Sequence, residues 1–331
     1  MQLTQKKSRR GDLLTAAAVA MLLAVMAALL YTGSLTRQVT NMLIPTAVYI
    51  VMAVSLNLVV GLLGELSLGH AGFMSVGLFS GCLVAIALTN TALPLMLRLP
   101  VSMLAGGLTA AVFGLLVGLP TLRLRGDYLA IVTLACGEII KNIITNLRVT
   151  GGALGLNTTA IYAGAKELLP YGAALVLLTV AVMLNLKRSK YGRAIMAIRD
   201  NRIAAESVGL SVTRYKLAVF VIAAFFAGCA GVLYGHSLAN IKAAAFDYNM
   251  SIEILVIVVL GGMGSVPGSV VSAIVLTVLP EALREVADYR MLVYAVVLIL
   301  VMQATNNPAM KRFFGAACKS LTPKRKERAA L

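Results

Sequence analysis

Residues 187–216 read KRSKYGRAIMAIRDNRIAAESVGLSVTRYK and form a long polar interruption in an otherwise apolar chain. This stretch, called the basic segment below, contains eight Lys or Arg residues and two acidic residues. A Lys or Arg at the centre of a bilayer costs about 2.5–3.5 kcal/mol on insertion scales, so eight would cost about 20 kcal/mol or more. We therefore predict that the basic segment lies outside the membrane, on the cytoplasmic side that positive loops favour.

The middle of the basic segment predicts a short capped helix. Asp200 or Asn201 can accept hydrogen bonds from backbone N–H groups at a helix start. Residues 202–208 then form the helix, and Gly209 can end it in a left-handed conformation. Such a helix, held between two membrane helices, can transmit movement from a soluble partner. The alternative is a solvated charged loop that only fixes the topology.

The composition indicates an all-α, polytopic helical membrane protein. The chain has 331 residues, of which 60% are hydrophobic and 13% charged, and its mean hydropathy is +0.90. A membrane span takes about 20 apolar residues, so the chain has room for about ten spans and for no separate soluble domain. The net charge of +16 lies in clusters beside apolar segments, which favours membrane topology over nucleic-acid binding.

Ten apolar segments are predicted to form membrane helices, with both termini in the cytoplasm. Their approximate bounds are 13–32, 40–61, a third that ends near 88, 101–119, 128–146, 169–186, 215–236, 251–263, 267–283 and 291–305. With this topology the inside segments carry 21 Lys or Arg and the outside loops carry 7, which is the bias that membrane proteins show. For residues 251–283, one broken span is the alternative to two.

The predicted organisation has three parts. Residues 1–12 form a basic cytoplasmic N-terminus, residues 13–306 the transmembrane domain with the basic segment as its cytoplasmic loop, and residues 307–331 a basic cytoplasmic tail. The first apolar run is nearly long enough for a full span, so we interpret it as a retained helix rather than a signal peptide.

Two glycine-rich stretches interrupt the apolar pattern, one in each half of the chain. They are GLLGELSLGHAGFMSVG at 61–77 and VVLGGMGSVPGS at 258–269. Paired helix breaks at matching positions suggest an internal repeat and are typical of a transporter's substrate path. The alternative is that glycine allows close packing of helices.

Ionisable residues inside membrane segments are costly and are therefore functional candidates. Glu65 and His70 lie in the first glycine-rich stretch, and we expect them near the cytoplasmic end. Glu138 and Lys141, three residues apart on one helix face, can form a pair and are expected to lie deepest. The alternatives are a purely structural pair, a Lys141 that reaches towards the surface, and a packing role for His70. Glu253 and His236 are expected near the outer face.

The sequence lacks the signatures of the common enzyme classes. It has no Walker A lysine motif for ATP hydrolysis, no HExxH motif and no GxSxG nucleophile elbow. Its two histidines are far apart, and its four cysteines form no CxxC pair, so neither a metal site nor a disulfide framework is expected. We predict that the chain is not an enzyme and binds no cofactor.

Residues 197–231, AIRDNRIAAESVGLSVTRYKLAVFVIAAFFAGCAG, resemble the cytoplasmic loop and following helix of permease subunits of bacterial ABC importers. The resemblance is strongest to the branched-chain amino acid (LivM-type) family and extends to both glycine-rich stretches. The general importer pattern is Glu-Ala-Ala, three residues, Gly. Ala204, Ala205 and Gly209 fit it, but Ile203 stands in the place of the Glu and the later Leu-Pro pair is absent.

The resemblance implies that the short helix is the coupling helix, which docks in a cleft of an ATPase. Its residues are Arg199, Asp200, Asn201, Arg202, Ile203, Ala204, Ala205, Glu206 and Gly209. It also favours a translocation path at the helix breaks, for which the candidates are Glu65, Ser67, Gly69, His70, Gly72, Glu138, Lys141, Gly261, Gly262 and Gly264. The implied assembly is a heterodimer with a second permease in the bacterial inner membrane, two ATPases that hydrolyse the ATP, and an extracytoplasmic substrate-binding protein.

Other functions stay open from the sequence. Related permeases import urea, short amides or other amino acids. An ion-coupled secondary transporter would use intramembrane acids, for which Glu138 and Lys141 are the candidates. A membrane-embedded enzyme would need a catalytic cluster, and none is visible.

Overall fold

The computed structural model describes residues 17–28, 30, 32, 36–89, 94–121, 124, 126–282 and 299. The chain divides into two compact units, Met1–Val278 and Leu279–Leu331, and every contact described below lies within the first. The predicted helix at 291–305 and the predicted basic tails at 1–12 and 307–331 lie outside the described residues.

The described residues are mostly helical. The helices are α1 (Ala17–Ala28), α2 (Arg37–Asn57), α3 (His70–Thr89), α4 (Leu95–Thr121), α5 (Asp127–Asn146), α6 (Ala165–Arg188), α7 (Lys190–Asp200), α8 (Arg202–Ser207), α9 (Val212–His236), α10 (Tyr248–Gly261) and α11 (Val266–Ala282). In this part of the chain seven helices are long and apolar enough to cross a membrane, and two more apolar helices are shorter. The prediction of an all-α, polytopic membrane fold is confirmed.

Helices α3, α4 and α9 form the centre of the first unit and meet through small residues. A Cβ atom on Gly77 of α3 would lie 2.2 Å from the Gly228 Cα atom of α9, and one on Gly228 would lie 2.6 Å from the Gly106 carbonyl oxygen of α4. Small residues let helix backbones approach closely where lipid supplies no hydrophobic driving force. These glycines, scattered through apolar runs, therefore determine how the three helices pack.

Helix α4 is longer than predicted. Residues 95–100 belong to the helix, whereas the apolar pattern predicted a start at residue 101. Pro94 lies just before the first turn, where proline is tolerated, and Pro100 leaves a carbonyl one turn earlier without its N–H partner. The Tyr171 hydroxyl donates to that carbonyl, the Met96 oxygen, at 3.5 Å. A side chain from α6 thus helps the helix to continue through the proline.

Two connections lie at the end of the bundle opposite to the basic segment, and hydrogen bonds join them to each other. Residues Leu156–Asn157 (β1) pair antiparallel with Asn240–Ile241 (β2), with Leu156 opposite Ile241. The buried Thr158 donates its hydroxyl to the Leu238 carbonyl at 2.6 Å. The sequence did not predict these strands, because two-residue strands are too short to show a periodic pattern.

Helices α10 and α11 form a hairpin rather than one broken helix. The Ser272 hydroxyl of α11 donates to the Ile257 carbonyl of α10 at 2.7 Å, and a Cβ atom on Gly268 would lie 1.7 Å from the Gly261 oxygen. Gly262 and Gly264 have positive φ angles in the turn between the helices. The prediction of two helices in this region is confirmed, although α10 starts three residues earlier than expected.

Candidate functional site

The basic segment is almost entirely helical. Helix α7 starts with a cap in which the Ser189 hydroxyl accepts from the Gly192 N–H at 3.0 Å. Asn201 separates α7 from α8, and its side-chain oxygen accepts from the Ala204 N–H at 3.1 Å. Gly209 follows α8 with a φ of +84°. The predicted short helix, its cap at Asn201 and its glycine end are therefore present, and α7 is an additional helix that precedes it.

One face of α8 packs and the other is exposed. Ala205 is buried in a small cluster with Ile198 of α7 and Val212 of α9. On the outer side, Ile203 and Val208 are each 81% exposed. An isolated six-residue helix is not stable in water, so the packing and the caps hold α8 in place and present these apolar side chains outward. Burial of each in a partner would contribute about 1.5–3 kcal/mol.

Charged side chains flank this outer face. The Arg202 side chain pairs with Glu206 at 2.8 Å along α8, and Arg199 pairs with Asp200 at 3.0 Å at the end of α7. All four side chains are at least partly exposed. We call Ile203, Ala204 and Val208, together with the Arg202–Glu206 pair, the outer face of α8.

Arg199 also connects the basic segment to the first glycine-rich stretch. Its guanidinium donates to the Gly61 carbonyl oxygen at 3.0 Å. Gly61 lies in a π-helical turn, Leu58–Leu63, that continues α2. Such turns insert an extra residue, free carbonyls from the regular pattern, and are frequent at functional sites. The helix that precedes α8 is thus bonded directly to the irregular end of α2.

The two glycine-rich stretches meet at this π-helical turn. The side-chain oxygen of Asn57 accepts from the Gly264 N–H at 2.7 Å. The Asn57 amide donates to the Ser265 carbonyl at 3.2 Å and to the Ser269 hydroxyl at 2.8 Å. A Cβ atom on Gly61 would lie 2.2 Å from the Gly264 nitrogen. We call the set of Asn57, Gly61, Gly264, Ser265 and Ser269 the glycine junction. At this junction the end of α2 is hydrogen-bonded to the α10–α11 turn.

Two lysines of the basic segment point into the protein instead of into solvent. Lys187 donates to the Gly264 carbonyl at 2.9 Å, which adds a third contact to the α10–α11 turn. Lys216 is 5% exposed and pairs with Glu65 in the first glycine-rich stretch. The sequence predicted only that this segment lies outside the membrane. A largely buried carboxylate and a carbonyl of the α10–α11 turn supply partners for these two lysines.

The first break, residues 64–69, and the first turn of α3 are together bonded to three other helices. The Leu68 N–H donates to the Thr133 hydroxyl of α5 at 3.0 Å. The Ala71 N–H, in the first turn of α3, donates to the Ser251 hydroxyl of α10 at 3.2 Å. His70 is buried and lies 2.8 Å from the Ser55 hydroxyl of α2 through its Nε2 atom. Side chains therefore satisfy backbone groups that the interrupted helix leaves free, as irregular backbone at membrane depth requires.

The Glu138–Lys141 pair predicted on α5 is present. The second oxygen of Glu138 accepts from the Tyr248 N–H at 2.9 Å, at the start of α10. A carboxylate at a helix N-terminus satisfies a free donor and interacts favourably with the helix dipole. The geometry gives this pair a capping role between α5 and α10.

The family relationship of the chain agrees with this arrangement. The profile of a protein family described as "Branched-chain amino acid transport system / permease component" matches residues 38–302. The chain belongs to this family. The seven helices that are long and apolar enough to cross a membrane, both glycine-rich stretches and the basic segment fall inside the matched region, whereas α1 lies outside it.

The chain matches only part of the length of its individual relatives. The LivM permease proteins of the high-affinity branched-chain amino acid transport systems of Salmonella typhimurium and Escherichia coli are 36% and 37% identical to the chain, over 296 and 290 residues. Each comparison covers 78% of this chain and 66% of the relative. The LivH permease protein of the Salmonella typhimurium system is 31% identical over 126 residues, which is 37% of this chain and 40% of LivH. No solved structure matches the chain.

The candidate path residues of this family member fall into two groups. Glu65, Gly262 and Gly264 lie at or beside the glycine junction, close to the basic segment. The others pack between helices: Gly69 and Gly72 against α5, Gly261 against α11, and the Glu138–Lys141 pair at the start of α10. Ser67 is buried, and its hydroxyl has no hydrogen-bond partner in the described part of the chain.

Sequence reasoning missed Asn57 and the inward role of Lys216. Asn57 is a lone amide within the apolar run of α2, and it is fully buried. Polar residues inside membrane helices are rare and usually have a partner, so this position carried a signal. The partner, at position 264, is too distant in sequence for any local pattern to reveal it.

Proposed function

We propose that this family member is the permease subunit of an ATP-driven importer for branched-chain amino acids. Its partners are a second permease with which it forms a heterodimer, two ATPases that bind and hydrolyse the ATP, and a binding protein outside the cell. Support comes from the names of its relatives, LivM and LivH, which are two permease proteins of one kind of transport system and both resemble this chain. The chain itself supplies no cofactor site in this proposal.

The proposed topology places the basic segment in the cytoplasm of a bacterial cell, with ten spans in the inner membrane and both termini inside. The threefold excess of Lys and Arg in the inside segments supports it. The ordered connections that carry β1 and β2 then face the outside, where the binding protein delivers the substrate.

The observation that carries the proposal is the outer face of α8. Ile203 on α8 and Val208 directly after it are exposed, while the other side of the helix is packed and its start is capped. A rigid, amphipathic helix in a groove is a common mode of protein recognition. We infer that the ATPase receives this face, and that the movement of α8 passes through Arg199 to the glycine junction, and so to α2 and the α10–α11 hairpin.

The description of the family supports branched-chain amino acids as the substrate. Leucine, isoleucine and valine need an apolar path and a few polar groups for the zwitterionic head. Urea, short amides or other amino acids are the alternative substrates within the family. An ion-coupled carrier is less well supported, because its candidate acid, Glu138, is occupied by the α10 backbone and by Lys141.

The test is ATP-dependent uptake of radiolabelled leucine into proteoliposomes that contain the four kinds of subunit from one source. Omission of ATP or of the ATPases should abolish uptake. Ile203→Glu should also abolish it and release the ATPase during purification, whereas the matched control Ile203→Leu should do neither. Both variants should leave the free energy of unfolding within about 0.5 kcal/mol, because the side chain is exposed.

Replacement of Ala204 by a bulky residue is a second variant that should uncouple transport from ATP hydrolysis, because Ala204 is exposed on the outer face of α8. Gly209 suits this purpose less well, since a side chain at its φ of +84° is strained whatever space surrounds it. Uptake by Ile203→Glu at the rate of the unchanged protein would contradict the docking role of α8. Leucine uptake by this chain alone, driven by an ion gradient, would contradict the importer proposal as a whole.

A further inference from the structure

A cavity of about 250 Å³ lies between α2, α9 and the start of α10. It is at the end of the bundle opposite to the basic segment, because Tyr234 is close to the last residue of α9 and Asp247 immediately precedes α10. Its lining residues are Tyr49, Tyr234, Ala245, Phe246, Asp247, Asn249, Met250 and Glu253. Ligand cavities for drug-sized molecules measure about 300–1,000 Å³, so this one suits a small solute.

The wall of the cavity carries one available carboxylate. The Oε2 atom of Glu253 accepts from the Tyr49 hydroxyl at 3.3 Å, and none of the described residues that line the cavity is a Lys or an Arg. Tyr234 lines the same cavity. Glu253 lies within the apolar span Ala243–Gly261, and an acid at such a position marks a substrate or ion path more often than a structural site.

The other acid of the cavity has a structural task. Asp247 accepts from the Met250 N–H at 3.1 Å, as the cap of α10, and from the Asn249 amide at 2.7 Å. Both of its oxygens are therefore in use. Glu253 is the acid in this cavity whose charge is left for a ligand.

The remaining wall is aromatic and apolar. Tyr49 and Tyr234 contribute rings, and Phe246, Met250 and Ala245 contribute hydrocarbon surface. Aromatic ring faces attract cations, and a carboxylate beside them attracts an ammonium group most strongly. The apolar wall suits a short hydrocarbon chain attached to that group.

We propose that this cavity is an entry site that binds the ammonium group of an incoming apolar amino acid, with Glu253 as its counter-ion. The identity of the solute rests on the proposed function. The ammonium selectivity of the cavity rests on its own residues. Tyr49 holds the Glu253 carboxylate in place, and the tyrosine rings and Met250 receive the amine and its hydrocarbon chain.

The test measures binding to the complete transporter in nanodiscs, without the binding protein and without ATP. Three radiolabelled probes separate the groups of the ligand. Leucine has both charges, 3-methylbutylamine keeps only the ammonium group, and 4-methylpentanoate keeps only the carboxylate. We expect the first two to bind and the third to bind at least ten-fold more weakly.

Glu253→Gln should weaken the binding of leucine and of the amine by about ten-fold or more, the loss that a contact to a charged group typically causes. The glutamine keeps an acceptor for Tyr49, so the fold should be retained. The matched control is Glu167→Gln, an exposed acid in the first turn of α6, which should leave binding unchanged. Equal binding by Glu253→Gln and the unchanged protein, or equal binding of the amine and the carboxylate probe, would overturn the proposal.

The outcome is independent of the transport assay. If leucine uptake does not depend on ATP but Glu253→Gln still weakens amine binding, the proposed function fails and the entry site stands. If uptake depends on ATP and Glu253→Gln binds the amine as well as the unchanged protein does, the entry site fails and the proposed function stands.

Discussion

Asn57→Ala should destabilise the protein by loosening the glycine junction. Asn57 is fully buried and makes three hydrogen bonds to the α10–α11 region, at 2.7, 2.8 and 3.2 Å. Each buried hydrogen bond contributes about 1 kcal/mol net. The Ser269 hydroxyl also donates to the Ser265 carbonyl at 3.1 Å, which retains part of the network. The expected loss in the free energy of unfolding is therefore about 2–4 kcal/mol.

The assay is unfolding in mixed micelles by titration with sodium dodecyl sulfate, followed by circular dichroism. The matched control is Asn146→Ala. The Asn146 amide donates to the Asn142 carbonyl at 2.7 Å on an exposed face, so its loss should change the free energy of unfolding by no more than about 0.5 kcal/mol.

Hydrogen exchange locates the effect. The Asn57 side chain protects the Gly264 N–H, so the exchange rate of a peptide that covers 262–265 should rise roughly 100-fold in Asn57→Ala. Peptides from the centre of α9 should keep their rates. A loss below about 1 kcal/mol, or unchanged exchange at Gly264, would refute the view that Asn57 holds the two glycine-rich stretches together.

Two further predictions concern neighbouring contacts, and both use the same unfolding titration. Lys216→Met should lower the free energy of unfolding by about 3–5 kcal/mol, because it leaves the largely buried Glu65 carboxylate without its partner. Adding Glu65→Gln should recover a large part of that loss, and strictly additive effects would contradict the ion pair. Gly61→Ala should cost about 1–3 kcal/mol, since its Cβ atom would lie 2.2 Å from the Gly264 nitrogen. The control Gly164→Ala has nothing within 4 Å of its Cβ atom and should be neutral or slightly stabilising, so equal losses at the two glycines would exclude the close approach.

The local features of the basic segment could be predicted because they depend on neighbouring residues. An Asn at the start of a helix, a glycine at its end and alternating apolar positions act over a few residues. The cap at Asn201 and the left-handed Gly209 are accordingly confirmed. The Glu138–Lys141 pair is confirmed for the same reason, since residues three apart share a helix face.

Features that join distant parts of the chain could not be predicted from these patterns. Three contacts join residues that are more than 100 positions apart in the sequence. They are the Lys216–Glu65 pair, the Arg199–Gly61 hydrogen bond and the cap that Glu138 provides for α10. Hydropathy placed Lys216 outside the membrane, but it reflects only the charge of a residue and carries no information on its partner. The π-helical turn at 58–63 has the same composition as the helix before it, so no signal distinguished it.

The sequence by itself determined that the chain folds into apolar helices suited to a membrane, that two glycine-rich stretches interrupt them, and that a short capped helix lies in the basic segment. Those properties follow from the cost of moving charge or free backbone groups into lipid, which each stretch of residues carries on its own. Only the tertiary structure decided that the two breaks touch, that α7 is bonded to them, and that Glu253 faces a cavity. Contacts of this kind depend on which helices become neighbours, and small residues far apart in the sequence determine that by allowing backbones to approach.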